Sequence, residues 1–243
     1  MPRAKSDGTC QFCEQTLGKA QMTRHLNACR VRAEAIGLEE KPRTARRILH
    51  LTVEGRYAPV YWLHVETSAD SRFGALDGFL REVWLECCGH LSDFRFPRPK
   101  PTRGGSLPTV ASGDLWETLQ QAFGSAETDD TGGIMDVSLG ERLKKGDAFF
   151  HEYDFGSTTE LKIKVVGQRA GNMRKDQINL LARNRPPQIL CDCGKPATVV
   201  CTECSWDDEG WLCDACARQH DCDEEMRLPV VNSPRTGVCG YTG

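Results

Sequence analysis

Eight of the thirteen cysteines of this chain lie between residues 191 and 239, and three more stand at positions 10, 13 and 29. Cysteines bunched in this way are either cross-linked or metal-bound, and the choice turns on the redox environment. The opening MPRAKSDGTC places no apolar stretch behind its positive charges, unlike a secretory signal. The expected location is therefore cytoplasmic, where thiols stay reduced. Sulfurs paired as C-x2-C with histidines close by then point to zinc, because two thiolates three residues apart reach one tetrahedral ion.

From residue 191 the chain reads Cys191-x-Cys193, Cys201-x2-Cys204, Cys213-x2-Cys216 and His220-x-Cys222. Alternate pairing gives one site of Cys191, Cys193, Cys213 and Cys216, and a second of Cys201, Cys204, His220 and Cys222. This interleaving resembles the cross-brace of B-box-like and AN1-like modules. Cys239, which precedes a glycine, is a ninth candidate and competes with Cys222 for the last place. All positions around such ions are filled by protein, which makes them structural rather than catalytic.

At the other end, Cys10-x2-Cys13 is followed by His25 and Cys29. The i, i+4 spacing of His25 and Cys29 puts both on one face of a helix, expected over residues 19–35 with Gly37 as its stop. The pattern resembles ββα zinc fingers with Cys in place of the last His, and Leu17 and Met22 fall near the two apolar slots of such fingers. So short a segment takes most of its stability from the metal. Three zinc ions per chain are expected in all.

Charge separates along the sequence. Residues 1–47 hold ten Lys and Arg against five Asp and Glu (+5), whereas residues 191–243 hold four against ten (−6). Phosphate contact therefore belongs to the head. On the finger resemblance the base-facing positions are Gly18, Gln21 and Arg24, while linker residues such as Arg43, Arg46 and Arg47 would meet phosphates. A solvated basic face, or a protein-binding finger, remains an equal reading. The acidic C-terminal module suits a protein partner. No apolar run approaches the roughly 20 residues of a membrane-spanning helix.

Between the cysteine clusters, and after a charged linker at 36–47, ILHLTV (48–53) and VYWLHVE (60–66) predict a β-hairpin. Phe73, Leu76, Phe79, Leu80, Val83 and Trp84 then recur at helical spacing, with Ser68, Asp70 or Ser71 as the cap. HLSDFRF (90–96) reads as a strand, 97–113 as a Pro/Gly-rich loop, and DVSLGERLKKGD (136–147) as a short helix and turn. AFFHEYDF (148–155) and ELKIKVVG (160–167) predict a second hairpin, with Phe149, His151, Tyr153 and Phe155 on one face. The expected class is α+β: a largely antiparallel sheet with packed helices, flanked by two small zinc-binding modules. The expected divisions are a finger at 1–35, the linker, an α+β domain at 48–187 and a two-zinc module at 188–243.

The order of strands and helix, ending in His151-Glu-Tyr-Asp-Phe-Gly156, resembles the plasmid pRi open-reading-frame-three-like family, whose members are also labelled passenger TnpR-like proteins of insertion elements. The likeness spans about residues 46–185. Relatives often carry an acidic residue after the glycine and a Trp soon after, where this chain has Ser157 and Thr158-Thr159. The resemblance implies an α+β fold and an association with mobile elements, and brings no established reaction.

Candidate catalytic groups are sparse. Glu152 and Asp154, two apart on one strand, are the carboxylates a divalent ion or acid–base pair would use; a polar sheet face beside Lys162 and Lys164 is the simpler reading. Cys87-Cys88 has no expected partner and reads as a pair of buried thiols. The lead reading is a non-catalytic zinc-binding adaptor on nucleic acid, linked to mobile elements. An enzyme using Glu152 and Asp154, or a purely protein-binding scaffold, is the alternative.

Overall fold

The computed structural model describes residues 6–38, 45–97, 133–207 and 209–243. Its centre is the expected first hairpin, β3 (Arg46–Gly55) and β4 (Trp62–Ser68), paired antiparallel with Leu51 opposite Val65. The second hairpin, β6 (Ala148–Tyr153) and β7 (Thr159–Gly171), joins through β7 to β3. The strand β5 (Ser92–Arg95) closes that edge against β6. A strand not anticipated from the sequence, β8 (Ile178–Asn184), pairs with the free side of β4.

The finger is joined to this sheet. Its hairpin, β1 (Asp7–Cys10) and β2 (Thr16–Gly18), adds on through β1 and β8, giving an eight-stranded antiparallel order β2-β1-β8-β4-β3-β7-β6-β5. Gly8 allows the join: a Cβ there would collide with the Arg183 carbonyl and the Trp62 ring.

Alternation along the strands sends two residue sets to opposite faces. One face carries Leu49, Leu51, Val53, Leu63, Val65, Phe149, Leu161, Ile163 and Val165, all buried, against Phe73, Leu76 and Leu80 of helix α3 (Phe73–Leu80) and against Trp84. Each such side chain contributes about 1.5–3 kcal/mol of burial. The other face carries Trp62, which packs with Leu181, Ala182 and the finger residues Met22 and Leu26 in a second core.

Helices contribute less than expected. Cap bonds from Ser68, Asp70 or Ser71 are absent at α3, whose N-cap is Arg72; a π-helical turn (Arg81–Leu85) extends it. The 136–147 segment is the short helix and turn expected, α4 (Leu139–Arg142) with the turn at 145–146. The described residues are thus mostly sheet, because among them only 73–85 holds an apolar stripe long enough to cover it.

The helix expected over 19–35 is two helices, α1 (Lys19–Ala28) and α2 (Arg30–Gly37), broken at Cys29. The break is satisfied by Arg32, whose guanidinium donates to the Leu26 carbonyl at 2.6 Å and pairs with buried Glu66 of β4. A carbonyl freed at the end of α1 thereby finds a donor.

The C-terminal module is a small sheet, β10 (Trp211–Leu212), β9 (Val199–Cys201) and β11 (Arg227–Pro229), with helix α5 (Asp214–Ala217). Its tail folds back on the central domain. Ser233 donates to the Trp84 carbonyl at 2.6 Å, and the Asn184 side-chain amide donates to that of Asn232 at 2.7 Å.

Candidate metal centres

Among the described residues, four groups of four Cys and His side chains converge, each with its ligand atoms within 4.8 Å of one another. A tetrahedral zinc with sulfurs at about 2.3 Å and nitrogens at about 2.0 Å requires S–S edges of about 3.8 Å and S–N edges of about 3.5 Å.

Cys10, Cys13, His25 and Cys29 form the finger cluster, with Cys13 Sγ 3.3 Å from His25 Nε2. The hairpin supplies the first pair; His25 lies on α1, and Cys29 stands at the extended break between α1 and α2 rather than on the one helix its spacing predicts. Cys191, Cys193, Cys213 and Cys216 form another, with Cys193 Sγ and Cys213 Sγ 3.6 Å apart. Cys201, Cys204, His220 and Cys222 form a third, with Cys204 Sγ 3.5 Å from His220 Nε2 and 3.6 Å from Cys222 Sγ. The interleaved pairing read from the sequence is the arrangement the chain adopts.

Within the two C-terminal clusters the thiols are pushed in opposite directions. The backbone N–H of Cys216 lowers the Cys213 thiol to about 6, against the effect of burial, with Cys193 and the N–H of Ala215 adding to it. Its neighbour Cys216, crowded by the thiols of Cys191, Cys213 and Cys193, is pushed up to about 12. In the third cluster burial raises Cys201, but the Cys204 N–H and His220 bring it to about 7, while Cys204 pushes Cys222 up to about 12. Some thiols ionise readily at the expense of others, and a bound divalent ion removes that competition by displacing the remaining protons.

Two expectations fail here. Cys239 does not compete with Cys222; it lies 3.9 Å from Cys88 Sγ and 3.2 Å from His90 Nε2. Cys87 and Cys88 are not buried thiols without a partner, since Cys87 is half-buried, Cys88 is exposed, and His90 Nε2 is 3.0 Å from Cys88 Sγ. Together these four residues make a fourth cluster, so the number of candidate zinc positions is four rather than three. The signal was Cys-Cys-Gly-His at 87–90, short and lacking the x2 spacing; its completion by a residue 151 positions away was not readable.

The carboxylates proposed for catalysis are engaged separately. Asp154 lies past the end of β6 in the left-handed region (φ 65°) and receives a bond of 2.6 Å from buried Arg235. Burial opposes ionisation, but Arg235, Ser157 and the Gly156 amide hold its carboxyl well below the usual range. Glu152 pairs with Arg95 at 2.7 Å. Its cross-strand neighbour is Glu160, and Lys162 instead lies 3.4 Å from Glu54. Phe155, expected on one face with Phe149, His151 and Tyr153, is 57% exposed because the strand ends at Tyr153. His151, on the strand face it shares with Phe149 and Tyr153, is fully buried and 2.7 Å from Asp77.

Of the nucleic-acid candidates, Gln21 and Arg24 are exposed on α1. Arg46 lies 3.5 Å from Asp70, and Arg47 donates to the Gly140 carbonyl at 2.7 Å. Arg43 lies outside the described residues. A groove of about 270 Å³ separates α1 from the open sheet face and is lined by Lys19, Thr23, Glu54, His64, Lys162 and Lys164.

No family model matches the sequence, and no curated protein matches it. Among solved structures, a protein of unknown function from Methanosarcina mazei Go1 is similar over 58% of this chain and 72% of its own, at 16% identity and a TM-score of 0.39. No helix among the described residues is long and apolar enough to cross a membrane.

Proposed function

We propose that this is a non-catalytic zinc-binding adaptor that meets nucleic acid through its N-terminal finger, in a chain related to the pRi open-reading-frame-three-like proteins of mobile elements. The observation that carries the reading is the orientation of α1. Met22 and Leu26 are buried in the second core, while Gln21 and Arg24, the positions a ββα finger uses toward bases, face solvent. Fusing the finger to the sheet fixes that face on a rigid base, which lowers the entropy lost on binding.

The clusters themselves support a structural role, since each offers four protein ligands and leaves no open coordination position. Glu152 and Asp154 point to ion pairs rather than to a shared site.

Binding to duplex DNA, single strands and RNA, measured over a salt series, tests the proposal. Affinity should weaken steeply as salt rises. Arg24→Ala should change sequence preference by about 1–3 kcal/mol at one base position. Arg43, Arg46 and Arg47 changed together to Ala should weaken all sequences alike. Absence of binding at low salt to all three nucleic acids would leave the protein-binding scaffold in its place.

A further inference from the structure

Cys87, Cys88, His90 and Cys239 belong to none of the zinc modules legible in the sequence, yet their geometry matches those modules. Cys87 Sγ and Cys88 Sγ are 3.7 Å apart, Cys88 Sγ and Cys239 Sγ 3.9 Å, and His90 Nε2 lies 3.0 and 3.2 Å from Cys88 and Cys239. The sulfur separations are far from the roughly 2.05 Å of a disulfide and close to the edge of a tetrahedral thiolate site.

The surrounding backbone is shaped to bring these atoms together. Gly89, between Cys88 and His90, has φ +78°, which lets the chain fold back over two residues. Cys239 itself has φ +47° and is followed by Gly240 at +65°. A non-glycine residue held in the left-handed region is strained, and such strain collects at functional positions. The tail that presents Cys239 is fixed by its own contacts, through Ser233 on Trp84 and Arg235 on Asp154. The site is therefore preorganised.

We infer that Cys87, Cys88, His90 and Cys239 bind a fourth zinc ion, which clasps the C-terminal tail to the central sheet domain and exchanges more readily than the other three. Three thiolates and one imidazole in a tetrahedral set select zinc over the oxygen-seeking divalent ions. The difference in exchange follows from exposure. Each of the other clusters has at least one buried cysteine, whereas Cys88 and Cys239 are exposed and Cys87 and His90 half-buried. Chelators and competing thiols reach this ion directly. The inference does not depend on whether the finger meets nucleic acid.

Zinc content of the full chain, purified under reducing conditions without chelator, is the test, with Cys88→Ser and Cys239→Ser as variants. The wild type should hold four ions per chain and each variant three, with unchanged far-ultraviolet circular dichroism. Native alkylation with iodoacetamide, mapped by mass spectrometry, supplies an independent reading. Cys88 and Cys239 should be protected in the zinc-loaded protein and become the first thiols to react when a chelator is added. Three ions in the wild type, unchanged by either variant, would overturn this site alone. Two or fewer would overturn it together with one of the other clusters. Immediate alkylation of Cys88 and Cys239 without loss of zinc would also overturn it, as would their being the last thiols exposed by chelator.

Discussion

Arg235 is fully buried, and its guanidinium ties the C-terminal tail to the β6–β7 turn. One terminal nitrogen donates to Asp154 at 2.6 Å; the other donates to the Ser157 carbonyl at 3.1 Å and Thr159 Oγ1 at 3.0 Å. The group also stacks over the Tyr153 ring with 4.8 Å to its centroid. Replacing it in Arg235→Met keeps most of the volume but leaves the Asp154 carboxylate, which is only 4% exposed, with its Ser157 and Gly156 donors and without its buried cationic partner. Removing one partner of a buried pair typically costs about 3–5 kcal/mol, whereas replacing both by uncharged groups is often near neutral. Arg235→Met should therefore lose about 3 kcal/mol or more, a fall in Tm of roughly 6–12 °C for a chain of this size. Asp154→Asn with Arg235→Met should recover a large part of that loss. Denaturant unfolding of the wild type, both single variants and the double variant, with zinc held constant, gives the coupling energy directly. Additive single effects, or a loss below about 1 kcal/mol for Arg235→Met, would refute the view that this buried pair anchors the tail.

Three further outcomes follow from the fold. Gly8→Ala should destabilise by about 1–3 kcal/mol and loosen the finger from the sheet, read as a lower denaturation midpoint, because the Arg183 carbonyl and Trp62 ring cannot both move away. His50 and His64, 3.0 Å apart, are lowered to about 4 and about 3, chiefly by burial; Arg32 adds to this at His50, and His50, Lys19 and Arg32 in that order at His64. Both are neutral in the fold but protonate near pH 6.5 when unfolded, so their stabilisation is complete above that pH and is lost as pH falls toward 4. Since one pKa unit corresponds to about 1.4 kcal/mol, the decline by pH 4 should be of the order of 3 kcal/mol or more. A His64→Gln variant should flatten this slope; an unchanged slope would assign the acid sensitivity elsewhere. Zinc removal by excess chelator should melt the C-terminal module, whose own sheet is only three short strands, before the eight-stranded sheet, seen as early hydrogen exchange over 191–229.

Much of the fold and three of the clusters were legible because their signals are local. The i, i+4 spacing of His25 and Cys29, the C-x2-C pairs and the alternation in ILHLTV and VYWLHVE each describe a few bonds of backbone geometry. Such geometry is dictated by neighbours in the chain. By the same logic the first and second hairpins follow from their own strands and turns, without reference to the strands they pair with. The strand β8 escaped notice because INLLARN alternates weakly and follows a loop; its place beside β4 comes from pairing on both edges.

What the tertiary structure alone decided is how these pieces meet. Nothing near Gly8 in the chain marks it as the place where a finger joins a sheet, since the atoms requiring a glycine belong to Trp62 and Arg183. Nothing near Asp154 in sequence announces Arg235, and nothing near Cys88 announces Cys239. Glu152 and Asp154 looked like a pair because they are two residues apart, but the strand ends between them and a left-handed turn sends the second to the tail. Spacing along the chain fixes which ligands share a turn or a helix face. Which distant segments complete a metal site or neutralise a buried charge is fixed only when packing brings them within a few ångströms of each other.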